Sequence, residues 1–496
     1  CVEKMSFRQA KWNGPIAFDI EHQNRSSLEF EVDEKLELPS ELKRKELKIP
    51  GMSEIEVVRH YTRFTEESYG VDNGPVPLGS CTMKYNPRIA TNYVNSEYLA
   101  NIHPSLLKFE TAQNILKLMY QLQEWLKEIT GMDACTLQPP AGASGELTGV
   151  LIIKKYFQER GDTQRDEMLI PDSAHGSNPA SSSMGGFKSV RIPSDKHGLV
   201  NLEALRASVS NKTAGLMLTN PNTLGLFEKN ITEVTKILHE NEAIVHYDGA
   251  NLNGIIGIAR PGDMGFDIVH LNLHKTFSAP HGGGGPGAGA VCVKKYLEDY
   301  LPGYIVSKDD NGRYFLKKMS KSIGDVYSTY GNLPGMIYAY IFILSYGSDI
   351  YKVAKYSTLN TNFFISLLKG VKGITLPYDE KTPRLHETVL SFKKLAEETG
   401  VTVEDVAKYL LDNGFYAPTI YFPLIVDEAF MIEFTETESY ENIVKYAEVV
   451  KKAIEIAYTN PSELKKAPIN TSVRRLDAVK ANHPSTLKPS VKFGRK

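Results

Sequence analysis

Between residues 167 and 293 the chain runs through six short apolar segments: EMLIP (167–171), KSVRIP (188–193), GLMLTN (215–220), AIVHYD (243–248), IVHLNL (268–273) and AGAVCV (288–293). Several are continuous apolar runs rather than alternating ones. A strand with one wet face alternates, whereas a strand covered on both faces does not. Helical segments at 201–209 and 230–241 fall between them. Strands and helices in that rhythm make an α/β fold with a largely parallel sheet, and ligands of such sheets gather at the carboxyl ends of the strands.

The rest of the chain is organised around this block. Residues 1–75 read as an N-terminal arm, because ELPSELKRKELKIP carries charge but little apolar periodicity. Residues 76–345 are expected to form a large domain, entered by a helix over about 105–130 that Gly131 ends. Residues 325–365 read as one or two tyrosine-rich helices crossing to the next unit. Over 346–460 strands and helices mix (GITLPY, HETVLSFKKL, VTVEDVAKYLLDNG, YFPLIV, FMIEFTE, then an amphipathic helix Ser439–Ala457), which suits a smaller C-terminal α+β domain. Residues 461–496 are basic, with Lys465, Lys466, Arg474, Arg475, Lys480 and Lys488 among nine cations against Glu463 and Asp477. Such a segment suits either a solvated tail or a docking element for a partner subunit or an acidic carrier.

A formal net charge of -2 gives no global reason to expect a nucleic acid or an anionic membrane as partner. The longest candidate membrane segment, Gly335 to Gly347, is too short to span a bilayer. No charged-then-apolar leader opens the chain, so a cytoplasmic location is expected. Cys1, Cys81, Cys135 and Cys292 are scattered with no CxxC pair, which suggests reduced thiols and neither a zinc site nor a disulfide framework.

Chemistry concentrates at 246–289. Asp248 ends one apolar run, Lys275 follows the end of the next, and a glycine-packed loop, HGGGGPGAG (281–289), comes after. A pyridoxal phosphate enzyme needs a lysine amine to hold the aldehyde as a Schiff base and a carboxylate for the pyridinium nitrogen. Taken singly, Asp248 reads equally as a helix cap and Lys275 as a surface charge; together with the loop they favour the cofactor. Ala143, Ser144 and Gly145, in PPAGASGELTG, offer small residues at a helix start for a phosphate. The segment is neither a GxGxxG nor a Walker loop, which disfavours dinucleotides and ATP. His175, in DSAHGSNPAS, is placed to lie on a pyridine ring or simply to cap its loop. Asn220, Asn222 and Thr223 offer polar donors after a strand end, though turn chemistry alone explains them equally. Arg88, Arg384 and His386 are unranked candidates for a substrate carboxylate.

LGSCTMKYNP (78–87), SAHGSNPAS (173–181), TNPNTLGLFE (219–228), YDGANLNGIIG (247–257), LNLHKTFSAPHGGGGPGAG (271–289) and YFPLIVDEAFMIEFTETES (421–439) resemble the glycine dehydrogenase (decarboxylating) P-protein family of the glycine cleavage system, in the subunit 2 form. The resemblance extends over about residues 50–480. It departs from the family's QPNSGAQGE-like pattern at QPPAGASGE, and Asn272 stands where related aminotransferases often have serine or threonine. The resemblance implies a fold-type I pyridoxal phosphate enzyme with a mostly parallel seven-stranded sheet and a smaller C-terminal domain. It implies pyridoxal 5'-phosphate covalent at Lys275, with Asp248 and His175 completing the catalytic set. Ala143, Ser144, Gly145, Thr223, Ala250, Asn272 and His274 are then expected to line the cofactor, with no metal. The implied partners are glycine, the lipoylated H-protein, and subunit 1 in a heterotetramer of two copies each. Two alternatives stay open. One is another fold-type I enzyme, such as a cysteine desulfurase, for which Cys292 in a probable strand is a poor nucleophile. The other is a non-catalytic partner subunit, which the intact lysine, aspartate and histidine argue against.

Overall fold

Seven strands form one sheet: β1 (Ala134–Thr136), β2 (Glu167–Pro171), β3 (Lys188–Ile192), β4 (Thr213–Thr219), β5 (Ile244–Gly249), β6 (Ile268–Asn272) and β7 (Gly289–Val293). Their order is β1-β7-β6-β5-β4-β2-β3. The pairs from β6 through β3 are parallel, and β7 runs antiparallel to both β6 and β1. In the computed structural model, residues 7–14, 17, 38–43, 51–103, 106, 110–281, 287–327 and 330–486 are described. Every residue of β4, β5, β6 and β7 is buried, as their unbroken apolar runs require. One apolar cluster, with Leu216, Val245, Val269 and Leu271, packs on one face of the sheet. A second, with Ile152, Met217, Ile244 and Val291, fills the other.

The expected helices are present at Leu202–Ser208 and Ile231–His239, and the entry helix runs Gln113–Thr130, with Gly131 left-handed (φ 70) at its end. The beginning of the helix expected over 105–130 lies outside the described residues. Two helices, Leu333–Tyr346 and Tyr351–Leu368, carry the chain away from the sheet. Between the sheet and these helices stands a hairpin of β8 (Tyr304–Lys308) and β9 (Tyr314–Lys318), which has no counterpart in the sequence reading. Among the described residues, no helix is long and apolar enough to cross a membrane.

The C-terminal unit is an antiparallel sheet of β10 (Glu387–Ser391), β12 (Ala429–Glu433) and the short β11 (Thr419–Ile420), in the order β10-β12-β11. The helix Tyr440–Thr459, capped by Ser439, packs its apolar stripe into a core with Phe364, Leu395, Leu410 and Phe430. Leu199, Leu224 and Leu226 of the large unit meet Val389, Ala429 and Met431 of the small one, so the junction is itself an apolar core. Of the N-terminal arm, the helix Glu54–Glu66 has no buried residue. Gln9 donates from its backbone to Asn470 O at 3.0 Å, so arm and tail meet.

One expectation needs correcting. Cys135 and Cys292 are direct cross-strand partners on β1 and β7 and are joined as a disulfide, not held as free thiols. They lie 157 residues apart, and only the sheet register brings them together.

Candidate active site

Asp248 is the penultimate residue of β5 and Asn272, three residues before Lys275, closes β6, so Asp248 and the lysine turn sit at neighbouring carboxyl ends of parallel strands. Asp248 is 1% exposed. Its Oδ2 accepts from Asn178 Nδ2 at 3.0 Å and Thr219 Oγ1 at 3.1 Å, and its Oδ1 accepts from the Ala250 N–H at 3.0 Å. His270 Nε2 lies 3.2 Å from Oδ1 as an ion-pair neighbour, without the alignment of a hydrogen bond. Burial alone pushes a carboxyl pKa up. Here the His270 charge and the donors from Asn178 and Ala250 overcome it and hold Asp248 far below the usual carboxylate range.

Lys275 lies in the turn that follows β6, fixed by Lys275 N–H to Asn272 O (3.1 Å) and Ser278 N–H to Lys275 O (3.2 Å). Its Nζ donates to Ser80 O at 2.8 Å. His274 pairs through Nδ1 with Ala288 O at 3.0 Å, while burial lowers its pKa to about 4. A neutral imidazole there props up the exit of the glycine loop, where a Cβ on Gly287 would stand 2.2 Å from Nδ1. The glycines at 282–286 lie outside the described residues.

The helix Gly142–Glu159 begins beside this turn. Three glycines let it approach the sheet: a Cβ at Gly142 would meet Asn272 Oδ1 at 1.9 Å, at Gly145 His270 Cβ at 3.2 Å, and at Gly149 His246 Cε1 at 2.3 Å. The first-turn N–H groups of a helix lack intrahelical acceptors, which leaves those of Ala143 and Ser144 open towards an anion beside Asn272, whereas the Gly145 N–H already donates to Ala141 O at 3.0 Å. Ser144 Oγ closes the turn onto the Ala141 N–H (3.0 Å).

His175 follows β2 with its ring edge-on to Phe422, 5.3 Å between centroids. Partial burial and the Lys275 charge lower its pKa, and Asp248 opposes this, so all three predicted catalytic groups share one electrostatic neighbourhood. Ser177 places its Oγ 2.8 Å from His175 Nδ1 and 2.8 Å from Glu146 Oε1. Glu146 is 5% exposed, and burial, then the Asp248 charge, raise its pKa. Ser177 thus joins a histidine whose pKa is lowered to a carboxyl whose pKa is raised.

Other residues named from the sequence hold structure. Asn220 Oδ1 accepts the Glu228 N–H (2.9 Å), and Asn222 Oδ1 accepts from Leu224 N–H and Leu226 N–H, so both shape their own turn. Thr223 donates to Ser173 O and ties that turn to the His175 loop. Arg384 is 1% exposed and gives its guanidinium to the carbonyls of Pro377, Asp379 and Thr382. Arg88 is exposed and paired with Asp72. Asn178, Thr219, Glu146, Ser177, His270 and Ser80 were not singled out from the sequence. Asn178 and Ser177 lay within the quoted SAHGSNPAS segment, Glu146 within PPAGASGELTG, Thr219 within TNPNTLGLFE, Ser80 within LGSCTMKYNP and His270 within the strand IVHLNL.

These residues fit pyridoxal phosphate. An amine, an ionised buried carboxylate and a helix start converge. Next to Asp248 and along the lysine turn, Asn178 Oδ1, Asn272 Oδ1, Thr276 Oγ1 and Ser278 Oγ are buried without a partner, a set of polar atoms suited to a polar ligand.

Comparison with known proteins agrees. Residues 29–319 match the family model described as glycine cleavage system P-protein, and residues 353–471 match that of the glycine dehydrogenase C-terminal domain. The chain is 53% identical to the probable glycine dehydrogenase (decarboxylating) subunit 2 of Staphylothermus marinus, over 98% of this chain and 97% of that one. To the proteins of that name from Sulfurisphaera tokodaii and Pyrococcus horikoshii it is 54% and 55% identical, over 99% and 96% of this chain and 98% and 95% of those. A crystal structure of glycine decarboxylase (P-protein) in inhibitor-bound form superposes with a TM-score of 0.70 at 20% identity, over 84% of this chain and 93% of that one. A cysteine desulfurase from Thermococcus onnurineus superposes at 0.59 and 14% identity, over 76% and 94%. At such identities these two likenesses speak for the fold alone, the fold-type I architecture expected from the sequence. With a family model over more than half its length and relatives identical at more than half their positions, the chain belongs to the glycine cleavage system P-protein family, alongside its subunit 2 members.

Proposed function

We propose that Lys275 carries pyridoxal 5'-phosphate covalently, with Asp248 at its pyridine nitrogen and His175 over its ring, and that glycine is decarboxylated there. The aminomethyl group then passes to the lipoyl arm of the H-protein. The observation that carries this reading is the pairing of Lys275 and Asp248 at adjacent strand ends, with the Asp248 carboxylate held ionised.

When bound, pyridoxal phosphate supplies an aldehyde that captures an amine and a ring that accepts the electron pair released as CO2 departs. The chain's own groups prepare that chemistry. Asp248, charged and fixed by three donors, holds a proton on the pyridine nitrogen and so favours electron withdrawal. Ser80 O gives the Lys275 ammonium a docking point whenever its nitrogen is not bonded to the cofactor. The Gly142 helix start holds the phosphate, and Asn272 stands beside it. His175 keeps Nδ1 turned to Ser177, which leaves Nε2 for proton handling. Among the described residues, the desulfurase alternative lacks a fitting nucleophile. Cys292 is buried in β7 and bonded to Cys135, and burial raises the Cys81 thiol when a reactive sulfur needs the reverse.

The relatives' name, subunit 2, supports assembly with a subunit 1, which we read as a heterotetramer of two copies each. The test is the visible absorbance of the purified chain, alone and with subunit 1, titrated with glycine, alanine, cysteine and glutamate. A cofactor band that responds to glycine selectively, and that Lys275→Ala abolishes, is the expected result. A band that answers another amino acid, or survives Lys275→Ala, overturns the assignment.

A further inference from the structure

Three buried carboxylates of the small unit reach towards the lysine turn, and none takes part in the chemistry described above. We propose that Glu387 and Glu433 are positioning residues for Lys275, acting through the segment Ser80–Lys84 that they clamp against it.

The segment lies between two partners. On its active-site side, Ser80 O accepts the Lys275 amine, and Lys84 Nζ donates to Thr276 O at 2.9 Å, one residue beyond Lys275. On its other side, Ser80 N–H donates to Glu387 Oε2 at 2.7 Å. Thr82 donates from both N–H and Oγ1 to Glu433 Oε2, at 3.0 and 2.9 Å. Lys84 pairs with Glu436 at 2.7 Å, and Thr419 Oγ1 donates to Gly79 O at 2.8 Å. A Cβ on Gly79 would lie 2.3 Å from Met431 Cγ, so the segment presses directly on β12.

Its backbone shows that the clamp is needed. Ser80 (φ 65) and Thr82 (φ 44) both occupy the left-handed region without being glycine. Such residues persist only where their surroundings over-determine them. Here the over-determining contacts are the two carboxylates, each accepting from the N–H of one strained residue. Glu387 also accepts from Asn251 Nδ2 at 2.9 Å, three residues beyond Asp248, so one side chain ties Ser80 to the loop that follows β5. Glu387 and Glu433 are 0% and 2% exposed, and His386 beside them brings an imidazole within 4.8 Å of both. A cation is not required there, because Lys84 and Lys275 already face these carboxylates.

The consequence is mechanical. The small unit sets where Ser80 O stands, and Ser80 O sets where the free amine rests, so loosening either carboxylate slows the return of Lys275 to the cofactor. The inference rests on Lys275 as the cofactor lysine. It is tested with the full chain freed of cofactor and then mixed with pyridoxal 5'-phosphate, following the growth of its visible band. Glu387→Leu and Glu433→Leu, which remove the acceptor at similar size, should each slow that growth about tenfold, the scale of one lost buried hydrogen bond, with turnover falling more than the KM for glycine rises. Unchanged capture rates in folded variants overturn the proposal, whereas failure of the parent to capture any cofactor overturns the Lys275 assignment instead. Hydrogen exchange of the unmodified chain gives a reading that does not depend on variants folding. The Ser80 and Thr82 amides should exchange as slowly as those of β5, and loop-like exchange there also overturns it.

Discussion

At the scale of single residues, Asp248 carries the sharpest prediction. Its carboxylate is ionised because His270 and its hydrogen-bond donors outweigh the effect of burial. Asp248→Asn keeps the shape and some cofactor but loses the charge that keeps the pyridine nitrogen protonated. Glycine decarboxylation should slow by about a hundredfold or more, and near-normal turnover contradicts the role. Ser177→Ala tests the other side of the ring. Without the hydroxyl between Glu146 and His175 Nδ1, the imidazole keeps only the residue 177 N–H at 3.2 Å and loses its link to Glu146, so turnover should fall about tenfold while cofactor content stays level. Glu433 adds a pH dependence. Burial pushes its pKa up to about 8, and neighbouring Glu387 is raised with it, against the lowering influence of Thr82 and Lys84. The folded chain therefore binds protons that the unfolded chain has released. Stability is full below the ordinary glutamate range and declines as pH rises towards about 8. The melting temperature of Glu433→Gln should decline less over that window than the parent's, and parallel declines would show that the carboxyl is not titrating there.

At the scale of elements, the Gly142–Glu159 helix shows why one face of a helix must be bare. Gly149→Ala drives a methyl into the His246 ring, which is fully buried beneath the helix and cannot withdraw. The expected cost is about 1–3 kcal/mol, read as a lower melting temperature, and a variant as stable as the parent would mean the helix can lift off β5 and β6. This approach could not be read from the chain, because spaced glycines show nothing of what they face. The strands were legible for the opposite reason: EMLIP, GLMLTN, AIVHYD and IVHLNL each carry an apolar run without alternation, a local property, and each overlaps a strand of the sheet. β1, only three residues (ACT), has too little length to carry a pattern, and YIVSK and YFLKK of the hairpin mix apolar and charged positions. The site divided in the same way. Lys275, Asp248 and the glycine loop are local texture at strand ends, whereas Glu387 and Glu433 act on residues more than 300 positions away, and only the folded junction pairs them.

At the scale of the whole molecule, the basic tail poses the choice between a strap and a docking element. Part of its charge is already committed at home. Arg475 donates to Asp405 at 2.7 Å and to Ala467 O, and the Ile469 and Asn470 N–H groups both donate to Asp412 Oδ1. The tail therefore begins as a strap on the small unit, tied to the arm through Gln9, and is not a free appendage up to that point. Among the described residues of the tail, Lys465, Lys466, Arg474 and Lys480 are exposed, and Arg474 and Lys480 lie beyond the strap, where an acidic carrier would meet them. Two charge reversals separate these roles. Arg475→Glu should loosen the strap and lower stability whether or not a carrier is present, because it sets two carboxylates against each other. Arg474→Glu with Lys480→Glu should leave the melting temperature unchanged and weaken carrier binding at low salt, an effect that fades as screening rises. Equal carrier affinity at low salt would make the tail a strap only, with its surplus charge serving solubility.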